Sequence, residues 1–187
     1  MDKREQILEA TANLIAECGL QSPISLVAKQ ACCGAGTIYR YFDTKEELIE
    51  MVYLMQMERL TEACLANCDK TGSVREQLHN IWSNLFHYLN DSPRDAALLD
   101  QLGVAPDVRE ELQLKAQAGI VERIHSLFEE GRARGEIKDL PNEVLGVYAY
   151  GGISTLVRMA RTKPGLKDQT ITEEMVLSLC WDAIANH

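Results

Sequence analysis

Residues 22–48, SPISLVAKQACCGAGTIYRYFDTKEEL, constrain this chain more than any other stretch. Two short runs with helical periodicity flank the turn-forming Cys32-Cys33-Gly34, and a further helix opens at Thr44. Two short helices joined by a tight turn outline a helix-turn-helix, whose second helix enters a DNA major groove. A helix is also predicted ahead of them, over residues 3–18. There Ile7, Thr11, Leu14, Ile15 and Cys18 form one stripe, which assigns all five to the core. Gly19 follows as the residue that can take positive φ and end it.

Within the stretch, Ser22 is expected to cap the second helix and Pro23 to occupy its first position, where a missing N–H costs nothing. Ile24, Val27, Ala28 and Ala31 supply its buried side. The Ser22 hydroxyl is also placed for a DNA phosphate. The third helix is expected over Ala35 to Phe42. Ile38 and Phe42, four apart, point inward and leave Tyr39, Arg40 and Tyr41 outside. Gly34, Ala35, Gly36 and Thr37 are small enough to let the backbone approach base edges. Arg40 can grip guanine O6 and N7 with two hydrogen bonds, while tyrosine hydroxyls suit phosphates. Thr44-x-x-Glu47 fits a capping box. Lys45 sits in the first turn, where the helix dipole disfavours a cation unless an anion such as a phosphate is present.

Ala31, Gly36, Thr37, Tyr39, Phe42, Lys45, Glu46 and Leu48, at these spacings, resemble the DNA-binding domain of the TetR family of bacterial transcriptional regulators. The resemblance covers about residues 4–50. It implies phosphate contacts for Ser22, Tyr39, Tyr41 and Lys45, and base or backbone contacts around Gly34, Ala35, Thr37 and Arg40. Two positions depart from the family pattern. Cys32 stands where the family usually carries glycine, and Gly34 where it often has serine or threonine.

Composition limits how such a chain binds DNA. The net charge is −9 over 187 residues. Residues 1–48 hold five Lys/Arg against seven Asp/Glu, and the remainder holds 14 against 21. No segment is basic overall, so DNA contact rests on the placement of Lys29, Arg40 and Lys45 and not on a global field. There is no apolar run of about 18 residues and no signal-peptide core, so no membrane span is expected and a cytoplasmic location is. The six cysteines are then expected to be reduced thiols. Cys32 and Cys33, near the third helix, raise a redox-sensing hypothesis.

The remainder, residues 49–187, reads as further helices. This gives an all-α chain of about nine or ten, divided into a helix-turn-helix domain (1–48) and a larger dimerisation and effector-binding domain (49–187). The helix from Leu48 is expected to run to about Asn67. Ser73 caps the next, with Val74, Leu78, Ile81, Trp82, Leu85 and Leu89 inward. Ser92-Pro93 and Pro106-Asp107 open two more, which Gly103 and Gly135 close. One helix is expected from Pro141 to Thr162, broken by Pro164-Gly165, and Thr172 caps the last. The Pro141–Thr162 helix is apolar on more than one side and carries glycines, as a helix buried against its own domain and a partner copy would. Tyr148, Gly151, Gly152, Thr155, Met175 and Leu179 are the expected homodimer contacts, a position the family resemblance also implies. His79, Trp82, Phe86, Leu99, Leu102, Phe128 and Tyr148 are candidates to line a pocket for a small apolar or aromatic effector.

An enzyme is the sharpest alternative. Glu76-x-x-His79 and Glu122-x-x-His125 match the paired spacing of di-iron carboxylate bundles. Their helical phase places both carboxylates on polar faces, which opposes a metal site. No catalytic residue, metal or cofactor is therefore assigned. The expected function is a homodimeric regulator, in all expectation a repressor, that binds double-stranded operator DNA and is released by a small molecule. A helix-turn-helix protein whose C-terminal body binds another protein is the second alternative.

Overall fold

Helical runs punctuated by glycine, proline and capping residues leave little for other structure, and helices are what the chain forms. A computed structural model describes residues 2–186 except 69–70, 104, 107 and 164–170. Among them are α1 (Lys3–Cys18), α2 (Ile24–Gln30), α3 (Ala35–Ile38), α4 (Lys45–Leu65), α5 (Val74–Asp91), α6 (Pro93–Leu102), α7 (Glu110–Ala133), α8 (Asn142–Ala149), α9 (Gly151–Thr162) and α10 (Glu173–Ile184). An isolated bridge between Ile137 and Ala185 is the sole β-type pairing among the described residues.

Local chemistry explains the boundaries. Asp2 Oδ1 accepts from the Glu5 N–H at 2.8 Å while Glu5 Oε2 accepts from the Asp2 N–H at 2.9 Å, a closed capping box for α1. Ser73 and Glu76 form the same box at α5, and Ser92 and Thr172 cap α6 and α10. Gly19 and Gly135 take φ of 82° and 73° and end α1 and α7. Asn84 donates to the Cys64 and Ala66 carbonyls, which satisfies the last turn of α4 two residues before the expected end.

Four expectations are corrected. Cys18 is exposed, because it is the last residue of α1 and the chain turns away at Gly19. Pro23, not Ser22, is the N-cap of α2. Turns through Ala105 and Val108 delay α7 to Glu110, with Arg109 accepting its first bonds; Asp107 lies outside the described residues. The Pro141–Thr162 helix is two helices, broken at Tyr150 (φ −120°, ψ −20°). A β-carbon on Gly146 would lie 3.0 Å from the Tyr150 ring, so the ring occupies space the glycine leaves. The expected break at Pro164-Gly165 lies outside the described residues.

The chain forms two compact units. The first comprises residues 1–59 and 92–117, so it holds the whole helix-turn-helix and extends beyond residue 48. In it α1 packs on α2 and α6, with Ile7, Ile15, Val27, Ile38, Phe42, Leu48, Leu98 and Leu102 buried. Two carboxylates are clamped there. Burial raises the Glu9 pKa, but hydrogen bonds and charge from Arg59 and Arg94 more than reverse this and hold it below the usual range. Glu50 is lowered chiefly by the Arg109 guanidinium, whose Nε and Nη2 donate at 2.7 and 3.0 Å against a smaller opposing effect of burial.

The second unit comprises residues 60–91 and 118–187. There α10 packs on α5, α8 and α9 around Leu78, Trp82, Phe128, Leu145, Ile153, Leu177 and Ile184. The Ile137–Ala185 bridge ties the segment after α7 to the end of α10, with the Lys138 N–H donating to the Ile184 carbonyl at 2.9 Å. Gly131 is where that segment presses on α7. A β-carbon there would meet Ile137 Cδ1 at 2.5 Å and Cγ1 at 2.7 Å, and the bridge holds the Ile137 backbone in place. Gly131→Ala is therefore expected to destabilise the protein by about 1–3 kcal/mol in urea unfolding, a cost of overpacking that outweighs the helix propensity gained.

Candidate nucleic-acid interface

Two buried side chains set the geometry of the second helix of the motif. Ile38 and Phe42 are each 1% exposed, and the Arg4 guanidinium lies 5.3 Å from the Phe42 ring centroid. Of the residues between these anchors, Arg40 falls opposite the buried pair and the two tyrosines flank it. Tyr39 is 50% exposed, and Arg40 and Tyr41 are also on the surface. The regular helix is shorter than expected. α3 ends at Ile38 and the chain continues in overlapping turns, with Arg40 N–H donating to Thr37 and Tyr41 N–H to Ile38. The tighter winding keeps Phe42 N–H bonded to the Ile38 carbonyl at 3.0 Å, so the expected inward pair survives the loss of helix.

The turn before α3 carries the family departure. Cys32 has φ of 50°, the left-handed conformation for which glycine is the usual residue. The Cys33 N–H bonds back to the Ala28 carbonyl at 2.9 Å and closes the turn. Gly34 caps α3 with extended backbone, without a side-chain hydrogen bond and with open space where a β-carbon would stand. Gly34, Ala35 and Gly36 are exposed, and Thr37 is half-buried.

The flanking residues divide. Thr44 Oγ1 accepts from the Glu47 N–H at 3.0 Å, while the Glu47 carboxylate accepts from Asp43, one residue earlier than a strict capping box has it. Lys45 opens α4 and is half-buried. Ser22 is 7% exposed and its hydroxyl donates to the Gly19 carbonyl at 2.9 Å. That hydroxyl is engaged in the α1–α2 connection. Lys29 is exposed in the last turn of α2.

Family profiles cover both parts of the chain. One described as bacterial regulatory proteins, tetR family, matches residues 7–52, and one described as tetracyclin repressor-like, C-terminal domain, matches residues 73–185. The chain belongs to the TetR family. It is one of that family's DNA-binding transcriptional regulators. An HTH-type transcriptional regulator of Haemophilus influenzae is 35% identical over 114 residues, 58% of this chain and 59% of that protein. The fatty acid metabolism regulator protein of Bacillus subtilis is 28% identical over 98% of this chain and 89% of its own. A TetR-family structure from Vibrio parahaemolyticus superposes with a TM-score of 0.81 at 32% identity, covering both chains completely. The structure of Bacillus subtilis FadR in complex with stearoyl-CoA gives 0.79 at 26%, covering 96% of this chain and 98% of that one.

The remaining candidates of this TetR-family chain are spread out. Leu99 and Leu102 belong to the first compact unit, while His79, Trp82, Phe86, Phe128 and Tyr148 belong to the second. Tyr148 is 65% exposed on α8 and lines no interior. Phe128 is buried and stacks with His125. His79 and Trp82 line a groove of about 230 Å³ between α5 and α10, together with Arg75, Leu177, Trp181 and two polar residues of α10. The sequence reading missed that company, although Arg75, His79 and Trp82 repeat at i, i+4 and i+7 on one helix. Glu76 of the first Glu-x-x-His pair caps α5 and is exposed, as is Glu122 of the second. Among the described residues no helix is long and apolar enough to cross a membrane.

The left-handed Cys32 is the strained point of the interface. Cys32→Gly is expected to raise thermal stability by about 0.5–1 kcal/mol, since relief of the left-handed strain is partly offset by the freer unfolded chain. An unchanged or lowered melting temperature would show that the turn stores no such strain.

Proposed function

We propose that the protein is a homodimeric repressor, that each subunit presents α3 to one half-site of an operator, and that a small molecule bound in the second unit releases it. The observation that carries the DNA reading is the exposed Tyr39-Arg40-Tyr41 strip held between the buried Ile38 and Phe42. In this reading Arg40 contacts a base and Tyr39, Tyr41 and Lys45 contact phosphates. Gly34, Ala35, Gly36 and Thr37 contribute the close approach of the backbone. Ser22 supports the connection behind them.

The outer faces of α8 and α10 support the dimer. Val147 and Tyr148 on α8 and Met175 and Leu179 on α10 are exposed, with Leu179 at 57%, on two helices that pack on each other. Thr155, Gly151 and Gly152 on α9 complete the expected seam. A contiguous apolar face of this kind is costly in water, and a two-fold axis would cover it with its own copy. Effector release needs a ligand that prefers one spacing of the two reading heads over the other. A relative that binds stearoyl-CoA supports ligand control as such.

Binding to DNA selected from a random pool tests the reading. Tyr39→Ala and Lys45→Ala are expected to weaken binding to every sequence. Arg40→Ala is expected to relax discrimination at one base pair per half-site by about 1–3 kcal/mol. Leu179→Glu is expected to yield a monomer by sedimentation and to lose operator binding with the dimer. A dimer that binds its selected DNA equally well without Tyr39, Arg40 and Lys45 would overturn the assignment.

A further inference from the structure

The groove between α5 and α10 has a composition that ordinary packing does not explain. Its base includes Trp82, which is 1% exposed and whose Nε1 has no hydrogen-bond partner. A buried indole N–H without an acceptor is unfavourable. The wall is Trp181, with the Arg75 guanidinium stacked 5.4 Å from its ring centroid. His79 and Ser178 add further donors, Leu177 lies in the floor, and Glu174 is the sole carboxylate of the lining among the described residues. Its neighbour Glu173 faces Ser83 and His87 instead.

We propose that this groove binds a small planar carboxylate, a one- or two-ring aromatic acid; the inference rests on the effector reading above and narrows it to a site and a ligand class. The chemistry follows from the lining. The Trp181 indole, over a floor of Trp82 and Leu177, offers apolar surface to a flat body. Arg75 offers a fork of donors to a carboxylate. Size agrees, because a cavity of about 150 Å³ holds benzene and about 230 Å³ leaves room for a ring bearing a carboxylate. The site is separate from the proposed dimer face. Glu174, Leu177, Ser178 and Trp181 follow an i, i+3, i+4, i+7 stripe of α10, whereas Met175 and Leu179 lie about 100° round the helix.

The chain's two tryptophans both line the groove, so intrinsic fluorescence reads this site alone. The full-length protein is titrated with benzoate, 2-naphthoate and indole-3-carboxylate, and with the corresponding uncharged amides. The acids are expected to give saturable quenching at least roughly tenfold tighter than the amides. By calorimetry Arg75→Gln is expected to lose roughly tenfold or more in acid affinity. Glu174→Gln is expected to bind acids more tightly, since it removes a like charge from the rim. Arg75 and Glu174 are exposed, so their replacement leaves the fold in place, which circular dichroism checks. No binding of any acid, equal binding of acids and amides, or weaker binding by Glu174→Gln would each overturn the proposal. Operator affinity is measured separately by fluorescence anisotropy. Acid binding that leaves operator affinity unchanged supports the site and overturns the effector reading alone.

Discussion

Burial of Ile38 and Phe42 is the constraint on which the DNA-reading end depends. Each side chain is nearly fully withdrawn from water, and each contributes on the order of 2 kcal/mol of apolar burial. Four residues apart, they fix the rotation of everything between them. Arg40 then falls on the opposite side, with Tyr39 and Tyr41 flanking it. The regular helix here is a single turn, too short to be stable alone, so the anchors and not helix propensity hold the strip in place. The strain at Cys32 is tolerable for the same reason. The turn is over-determined by α2 on one side and by the buried pair on the other.

Charge makes this placement matter. A protein of net charge −9 repels DNA at long range, and nothing in residues 1–48 reverses that. Affinity must come from short-range contacts made by a few side chains in the right register. That favours specific over non-specific binding, because a misplaced head gains little from phosphates alone. In the proposed dimer it would also make the two heads sensitive to spacing, on which a ligand in the second unit would act.

Much of this was legible in the sequence where one local rule decides the outcome. Gly19 and Gly135 end helices because their backbone must turn left-handed, and Thr172 and Ser92 begin them through a hydroxyl. The inward pair and the outward strip followed from periodicity alone. Errors arose where the outcome depends on a neighbour. Periodicity assigned Cys18 to the core, but no element continues over the last residue of α1. Ser22 reads as a cap by residue type, yet its hydroxyl bonds to the carbonyl of the preceding turn. The break at Tyr150 depends on where one ring lies over Gly146. The expected pocket was a list of inward residues, and periodicity says that Leu102 and Phe128 are inward without saying that they are inward to different units. Likewise Arg75 and Trp181 are far apart in sequence, and only packing of α5 on α10 makes them stack.

The central claim is that a few placed cations, not a field, attach this acidic protein to its operator. The salt dependence of operator affinity tests it most directly. With Arg40 on a base, Lys29 and Lys45 on two heads supply about four phosphate contacts, so the slope of log K against log salt should be about −4. Lys45→Ala should make it shallower by about 2, one contact per head. A slope of about −8 or steeper, or a slope that Lys45→Ala leaves unchanged, would contradict the account.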